Sequence, residues 1–299
     1  MRVLVTGASG LIGRHTVPVL LEHNTEVRTF QRSSPGDITV EHVAGDVTRD
    51  RAELCRAASG CAAVIHLAGK GDVAESRRDP SGYAELNASG TLHALEAARH
   101  AGAAFVLAST QRVYPLQPTP CREDLAPRPD SPYGYAKWVA ELWCRMASEQ
   151  YGLPTTVLRF FSVYGPGQQA NGASGVVTIF ATAALKDEPL IVQSHGRRDF
   201  THAQDAARAI CLAVQQPAAR KHRVYNIATG QGTSFRELAE QVVAIAGARS
   251  EIELRVDEPP GRDLVADIAR AKEELGYEPC VPLRQGLERY VEWLRQSCA

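Results

Sequence analysis

The stretch that most constrains this chain is Met1 to Gly13, where the apolar run Val3-Leu4-Val5 passes through Thr6 into Gly7-Ala8-Ser9-Gly10-Leu11-Ile12-Gly13. A short strand, a glycine turn and the start of a helix are predicted in that order. Glycines three apart let the backbone turn tightly, approach a pyrophosphate without Cβ interference and pack a helix against a sheet. The periodic segment Ile12, Thr16, Val19, Leu20 supports the helix. The motif points to a dinucleotide. An ordinary glycine-rich turn is the alternative, and a position between strand and helix argues against it.

At 299 residues and 44% apolar content, the chain can bury a substantial core in about one or two domains. Its 33 basic and 34 acidic residues give no field to steer a nucleic acid or an anionic membrane surface. No apolar run nears the roughly 20 residues of a bilayer span, and no signal-peptide pattern opens the sequence. A cytoplasmic protein without nucleic-acid or membrane partners is expected. The seven cysteines include no CxxC pair, which argues against a disulfide framework or a structural zinc site.

Strand-like runs recur at Val3-Thr6, Val27-Phe30, Val40-Val43, Val64-Ala68, Phe105-Ser109 and Thr155-Phe160, with helix-period segments between several of them. This alternation predicts an α/β fold with a doubly wound parallel (Rossmann) sheet. The pattern loosens after Tyr164-Gly165-Pro166-Gly167. A dinucleotide-binding domain over 1–164, with segments near 200–227 returning to it, and a smaller α/β substrate domain over 165–299 are therefore expected. Trp138, Val139, Leu142, Trp143 and Met146 form one face of a helix starting near Tyr133. Phe235, Leu238, Ala239, Val242, Val243 and Ala246 form another stripe, and Leu283, Leu287, Tyr290, Val291 and Leu294 a third, both read as core packing. The proline-rich stretch Pro115 to Pro132 reads as a substrate-facing loop.

Tyr133 and Lys137, four apart, share a helix face, where an ammonium can favour a phenolate. A tyrosine with an ordinary pKa of about 10 needs such help to act as a general base. Ser109 and Thr110 end the fifth predicted strand, at the carboxyl edge where open α/β sheets bind ligands, and a hydroxyl there can share a proton with Tyr133. Alone, YxxxK also describes ordinary surface helices, and a Ser-Thr pair an ordinary cap.

With these motifs the chain resembles the extended short-chain dehydrogenase/reductase family, particularly its nucleotide-sugar epimerases, UDP-sugar 4-epimerases among them, dehydratases and ketoreductases. The matching pieces run nearly end to end: TGASGLIG at 6 to 13, GDVTRD at 45 to 50, HLAG at 66 to 69, NASGT at 87 to 91, STQRVYP at 109 to 115 and PYGYAK at 132 to 137. RFFSVYGPGQ at 159 to 168, GRRDFTHAQD at 196 to 205, YNIATGQGTSF at 225 to 235 and ELGYEP at 274 to 279 complete them. The resemblance implies that Gly7, Gly10 and Gly13, with Leu11 and Ile12, cradle the cofactor pyrophosphate. It implies that Asp46 and Val47 meet the adenine, that Leu67, Ala68 and Asn87 line the cofactor cleft, and that Lys137 holds the nicotinamide ribose. Thr110 and Tyr133 would be the catalytic pair. Gln111, Ser162 and Arg198 would join Thr110 on the nucleotide sugar, with Arg198 on its phosphates, a task suited to a fork of charged donors. Ser162 stands where many relatives carry a phosphate-binding Asn, and Arg262 in PPGRDL is out of register with a further family arginine. His195, Asp199, His202 and Asp205 match no usual ligand spacing, so no metal is expected. Many relatives dimerise through the Tyr-Lys helix, so a homodimer is expected, with Trp138 or Trp143 facing the partner or lying within the core.

The implied reaction begins with Tyr133 taking a proton from a sugar hydroxyl as hydride leaves the carbon, giving a ketone. An epimerase returns the hydride to the other face, a ketoreductase starts from the keto sugar, and a dehydratase also eliminates water. Dehydratase relatives place Asp-Glu after the catalytic Thr, where this chain has Gln111 and Arg112, so dehydration ranks low; Cys121 or Glu123 would have to supply unusual groups. At the end of the second strand, Gln31 and Arg32 replace the acidic residue that usually meets the NAD ribose. Arg32 with Ser33 and Ser34 suits a 2′-phosphate, so NADP stands beside NAD, and an NADPH-dependent 4-ketoreductase is the runner-up to a 4-epimerase. A catalytically silent dinucleotide-binding module would not need Thr110, Tyr133 and Lys137 together.

Overall fold

A computed structural model describes the chain except residues 35, 37, 38, 118, 119, 169–174, 217–220, 257–261 and 299. Parts of the segments at Pro115 to Pro132 and Gly165 to Gly175, and the start of PPGRDL, therefore lie outside the described residues. In chain order the first half contains β1 (Arg2–Thr6), α1 (Leu11–Glu22), β2 (Glu26–Gln31), β3 (Glu41–Ala44), α2 (Arg51–Ala58), β4 (Ala63–His66), α3 (Val73–Arg78), α4 (Pro80–Ala84), α5 (Gly90–Ala101), β5 (Ala104–Thr110) and α6 (Pro132–Tyr151). The second half continues with β6 (Thr155–Phe160), β7 (Val163–Tyr164), α7 (Val176–Leu185), β8 (Leu190–Val192), β9 (Arg197–Asp199), β10 (Thr201–His202), α8 (Ala203–Gln215), β11 (His222–Ile227), β12 (Gly232–Ser234), α9 (Phe235–Ala246), β13 (Ile252–Leu254), α10 (Ala269–Leu275) and α11 (Leu283–Cys298).

Seven strands form one parallel sheet in the order β11-β6-β5-β4-β1-β2-β3. Its central strands read as unbroken apolar runs because helices cover both faces. One face packs on α1, α8 and α10 through Val17, Leu20, Ile210, Val214 and Leu275; the other packs on α2, α5 and α6 through Leu54, Leu95, Ala140 and Cys144. The strand order reverses between β1 and β4, which opens a crevice at their carboxyl ends. The six strands expected from sequence are all present, and β11 is the seventh. A further core, with Phe180, Leu190, Leu238, Val242, Leu287 and Tyr290, joins α7, β8, α9 and α11, so the stripes expected on α9 and α11 are core. Small pairings β7/β10, β9/β12 and β8/β13 lie outside the main sheet.

Helix α6 is bounded by Ser131, whose side chain accepts from the Gly134 amide, by Pro132 in its first turn, and by left-handed Gly152 at its end. Its buried face differs from the expected one. Ala136, Lys137, Ala140, Glu141, Cys144, Ala147 and Ser148 face inward, while Leu142 is 39% exposed and Trp138, Val139, Trp143 and Met146 are half-buried. Small side chains let the helix lie close to the sheet, and the larger apolar residues flank that contact. Among the described residues six cysteines are free, and Cys61, Cys121, Cys144 and Cys211 are buried. Among the described residues no helix is long and apolar enough to cross a membrane.

Candidate active site

The turn after β1 is a cradle that only glycine can form. Gly7 has φ +72°, and a Cβ on it would lie 2.6 Å from the Ala68 amide nitrogen; a Cβ on Gly13 would lie 2.4 Å from the Gly7 carbonyl. The Gly10 N-cap of α1 has no side-chain cap, which leaves the first amides of the helix for a ligand. Two side chains brace the turn. Thr6 Oγ1 lies 2.8 Å from His66 Nδ1 and accepts from the Ala68 amide, and Gln31 Oε1 accepts from the Ser9 amide at 3.0 Å while its Nε2 donates to Ser33. Burial and the nearby Lys137 ammonium push the His66 pKa down to about 3, so its ring is neutral. The cradle fits a dinucleotide pyrophosphate.

A cavity of about 750 Å³ runs from this turn along the carboxyl edge of the sheet. It brings together Gly7, Gly10, Leu11, Ile12, Gly13, Leu67, Thr110, Gln111, Tyr133, Ser162 and Arg198. Arg32, Asp46, Val47, Ala68, Asn87 and Lys137 do not line it. Asp46 accepts from the Thr48 hydroxyl and amide, which, with the Arg32 and Arg49 cations, hold its carboxyl below the usual range; Arg32 is exposed. Val47 is buried, and its carbonyl lies 2.9 Å from His93 Nδ1. Buried Asn87 exchanges hydrogen bonds with the Lys70 backbone.

Tyr133 opens α6, and Thr110 closes β5 opposite it. Burial raises the Tyr133 phenol, while a hydrogen bond with the Thr110 hydroxyl and the Arg112 guanidinium act against that rise. The cation acting on the phenol is thus Arg112, where the sequence led us to expect Lys137. Lys137 instead turns to the sheet and donates to the Ala108 carbonyl at 2.9 Å, and burial brings its pKa down to about 8. Arg112 reaches the phenol because the turn after Thr110 packs on the first turn of α6, where a Cβ on Gly134 would lie 2.5 Å from the Arg112 carbonyl. Gln111 Nε2 donates to Ser162 Oγ at 2.9 Å, and Ser162 has φ +27°, a conformation rare for any residue but glycine.

A second cavity of about 500 Å³, which shares Arg112, Arg198 and Phe235 with the first, is walled by Arg77, Arg112, Arg198 and Arg262 over Ile179, Phe180, Leu190 and Phe235, with Asp130 as its carboxylate. Arg198 donates to the Arg262 carbonyl at 2.7 Å, and its guanidinium stacks 5.1 Å from the Phe235 ring centroid. The bridge between Arg198 and Leu264 brings Arg262 to this place despite its sequence register. Lys70, Asp72, Glu75 and Tyr83 also line the first cavity and went unread in the sequence. Tyr83 donates to Glu75 at 3.0 Å and packs edge-on against Tyr133, with ring centroids 6.2 Å apart.

Cys121 and Glu123 lie away from both cavities. Burial pushes the Cys121 thiol up to about 12, and Glu123 accepts from the Asn226 amide. Among the residues considered for a metal, Asp199 accepts from Thr229 and Gly230, Asp205 from the Cys280 and Val281 amides, and His202 from the Gln204 amide. Among the described residues no three His, Cys, Asp or Glu side chains cluster as ligands. The loop after β7 that lines the cavity is held from two sides. His15 Nε2 donates to the Pro166 carbonyl at 2.9 Å, and Tyr290 on α11 donates to the Gln168 carbonyl at 2.8 Å.

Residues 3–228 match the NAD dependent epimerase/dehydratase family. The chain belongs to that family. It is 34% identical to the UDP-glucose 4-epimerase of Mycolicibacterium smegmatis over 99% of each chain. Its structure is similar to a UDP-glucose 4-epimerase of Thermotoga maritima crystallised with UDP-glucose (TM-score 0.89, 32% identity, 100% of both chains). It is also similar to the UDP-glucose 4-epimerase of Thermus thermophilus in complex with NAD (TM-score 0.88, 32% identity, 99% of both). This family member therefore shares its fold, over the full length, with solved proteins that bind NAD and UDP-glucose.

Proposed function

We propose that this chain is a nucleotide-sugar 4-epimerase that works through a transient 4-keto sugar and keeps its dinucleotide between turnovers. One observation carries the reading: the cavity holding the glycine cradle, Thr110 and Tyr133 shares Arg112, Arg198 and Phe235 as wall residues with the arginine-walled cavity. A diphosphate fits the arginines, a base fits the apolar floor, and the sugar then reaches the Thr110–Tyr133 pair. Residues 1–164, with the segments near 200–227, would hold the dinucleotide and most of 165–299 the nucleotide sugar.

Gly7, Gly10 and Gly13 would hold the pyrophosphate and Leu11, Ile12 and Leu67 the cleft walls, with Ala68 and Asn87 backing them; Asp46 and Val47 would meet the adenine, and Lys137, behind Gly69 of the lining, would hold the nicotinamide ribose. Bound there, the nicotinamide supplies a reversible hydride acceptor. Tyr133 takes the proton of the sugar hydroxyl, and Thr110 shares it through their hydrogen bond. Arg112 and Thr110 offset the cost of a buried phenolate. Gln111 and Ser162 border the sugar, and Arg198 and Arg262 neutralise the diphosphate. The exposed Tyr135 and Leu142 on α6 support a homodimer through that helix.

A second reading, an NADPH-dependent 4-ketoreductase, is favoured by Gln31, whose carboxamide is spent on Ser9 and Ser33, and by exposed Arg32 beside the site of the adenosine. Purified protein is denatured gently, its released nucleotide identified, and fresh protein incubated with UDP-glucose without added cofactor. Bound NAD with formation of the 4-epimer supports the first reading; an empty protein that binds NADPH and consumes it with a 4-keto sugar supports the second.

A further inference from the structure

Behind the reacting residues lies a buried ion pair that the reaction does not touch. Glu141 and Arg159 are 2% and 3% exposed, and the carboxylate receives Arg159 Nη2 at 2.6 Å and Nε at 3.0 Å. A buried pair of this kind gains little stability over apolar side chains of the same volume, because both charges lose their hydration. Its contacts are concentrated on one segment. Ser109 and Arg159 are paired across β5 and β6, and Glu141 Oε1 accepts from Ser109 Oγ at 2.5 Å, immediately before Thr110. Arg159 Nη1 donates to the Tyr114 hydroxyl at 2.7 Å, immediately after the turn of Gln111, Arg112 and Val113. Tyr114 in turn donates to Asn226 on β11. Glu141 is also one helical turn beyond Lys137, whose ammonium is bonded to Ala108, the neighbour of Ser109.

We propose that Glu141 and Arg159 are a positioning pair for the reacting centre, clamping the Thr110–Arg112 segment at both ends through Ser109 and Tyr114 and holding Lys137 against Ala108. The proposal rests on the reading of Thr110, Tyr133 and Lys137 as the working residues. The pair acts through them and lines neither cavity. Lys137 faces Glu141 and Cys144 on its own helix, His66 on β4, the Asn87 carboxamide and the Ala108 carbonyl, with Arg159 behind Glu141. Of these neighbours only Glu141 and Arg159 carry fixed opposite charges, so removing either one moves the lysine proton in a direction set by the charge that remains.

The test compares Glu141→Gln and Arg159→Met with the parent by steady-state kinetics and by NMR titration of lysine labelled with carbon-13 at Cε, the Lys137 signal being assigned with Lys137→Arg. Both variants should lose about 10- to 100-fold in kcat, the scale of a small misplacement of reacting groups, with KM for the nucleotide sugar nearly unchanged because the arginine cavity is intact. Glu141→Gln leaves the Arg159 cation unopposed, so Lys137 gives up its proton at lower pH; Arg159→Met leaves the carboxylate, so the proton is held to higher pH. Shifts in the same direction, no shift, or kcat within about twofold of the parent overturn the proposal. If Arg159→Met does not fold, Glu141→Asp takes its place: it keeps the charge, so the lysine titration stays with the parent while kcat falls, and an unchanged kcat overturns the proposal. The titration is read without substrate or dinucleotide, so a protein that turns over no nucleotide sugar refutes the functional reading while the lysine shifts still judge the pair's hold on Lys137.

Discussion

Replacing Asp199 with Asn should damage both stability and nucleotide affinity, because this carboxylate ties together the strands that carry the arginines. Asp199 is fully buried. Its Oδ1 accepts from the Thr229 amide at 2.9 Å and the Thr229 hydroxyl at 2.6 Å, and its Oδ2 accepts from the Gly230 amide at 2.8 Å and the Ala266 amide at 3.3 Å. Four donors converge on it, so an amide nitrogen in place of either oxygen faces donors instead of offering an acceptor. With the remaining oxygen turned to Thr229, the Gly230 and Ala266 amides lose their partner. Each buried donor left unsatisfied costs about 1–3 kcal/mol, so Asp199→Asn should lose about 2–6 kcal/mol. Asp199 follows Arg198 directly, and Ala266 lies four residues beyond Arg262, so the arginine wall loosens with the clamp. UDP should bind about tenfold more weakly or worse, a change of about 1.4 kcal/mol. Urea denaturation gives the first quantity and calorimetric titration with UDP the second. A variant within about 0.5 kcal/mol of the parent, the range of an ordinary surface substitution, and with unchanged UDP affinity would refute this account of the clamp.

Tyr133→Phe should keep the fold and lose about 100- to 10,000-fold in turnover, the contribution of a general base; unchanged turnover would revive a non-catalytic dinucleotide-binding module. Gly7→Ala places a Cβ against the Ala68 backbone at φ +72°, so it should destabilise by about 1–3 kcal/mol and weaken NAD binding, read by thermal melting and fluorescence titration. Intact NAD affinity in that variant would remove the dinucleotide from this turn. Burial depresses His66 to about 3, and His202 and His222 to about 4, all from 6.5. The unfolded chain therefore binds more protons than the folded one between those values and 6.5, so stability should fall as pH is lowered through that window. Urea midpoints against pH should show the slope, and His222→Gln should remove about one proton from it; an unaltered slope would exclude this histidine.

The sheet was legible because its strands are buried on both faces and so read as continuous apolar runs such as Val3-Leu4-Val5 and Phe105-Val106-Leu107. The glycine cradle was legible because its backbone geometry tolerates no other residue. The inner face of α6 was not, since alanines and a cysteine carry a weak apolar signal and Lys137 and Glu141 look like a solvated face, whereas the nearby tryptophans look like core. The influence of Arg112 on Tyr133 depends on how two turns pack, and the meeting of Arg262 with Arg198 on a single β-bridge. Neither leaves a trace in residue spacing. Glu123 looked available as an acid because its partner, the Asn226 amide, lies 103 positions away in the chain.

The grip of α11 on the loop after β7 has a consequence for how the protein is made. Helix α11 follows every other described element, yet its Tyr290 hydroxyl lies between the Gln168 carbonyl and Thr178 Oγ1, 2.8 Å from each. A chain emerging from the ribosome builds its early strands and the glycine turn first, while this wall of the cavity waits for α11. The nascent protein should acquire dinucleotide affinity well before it acquires a closed reaction chamber.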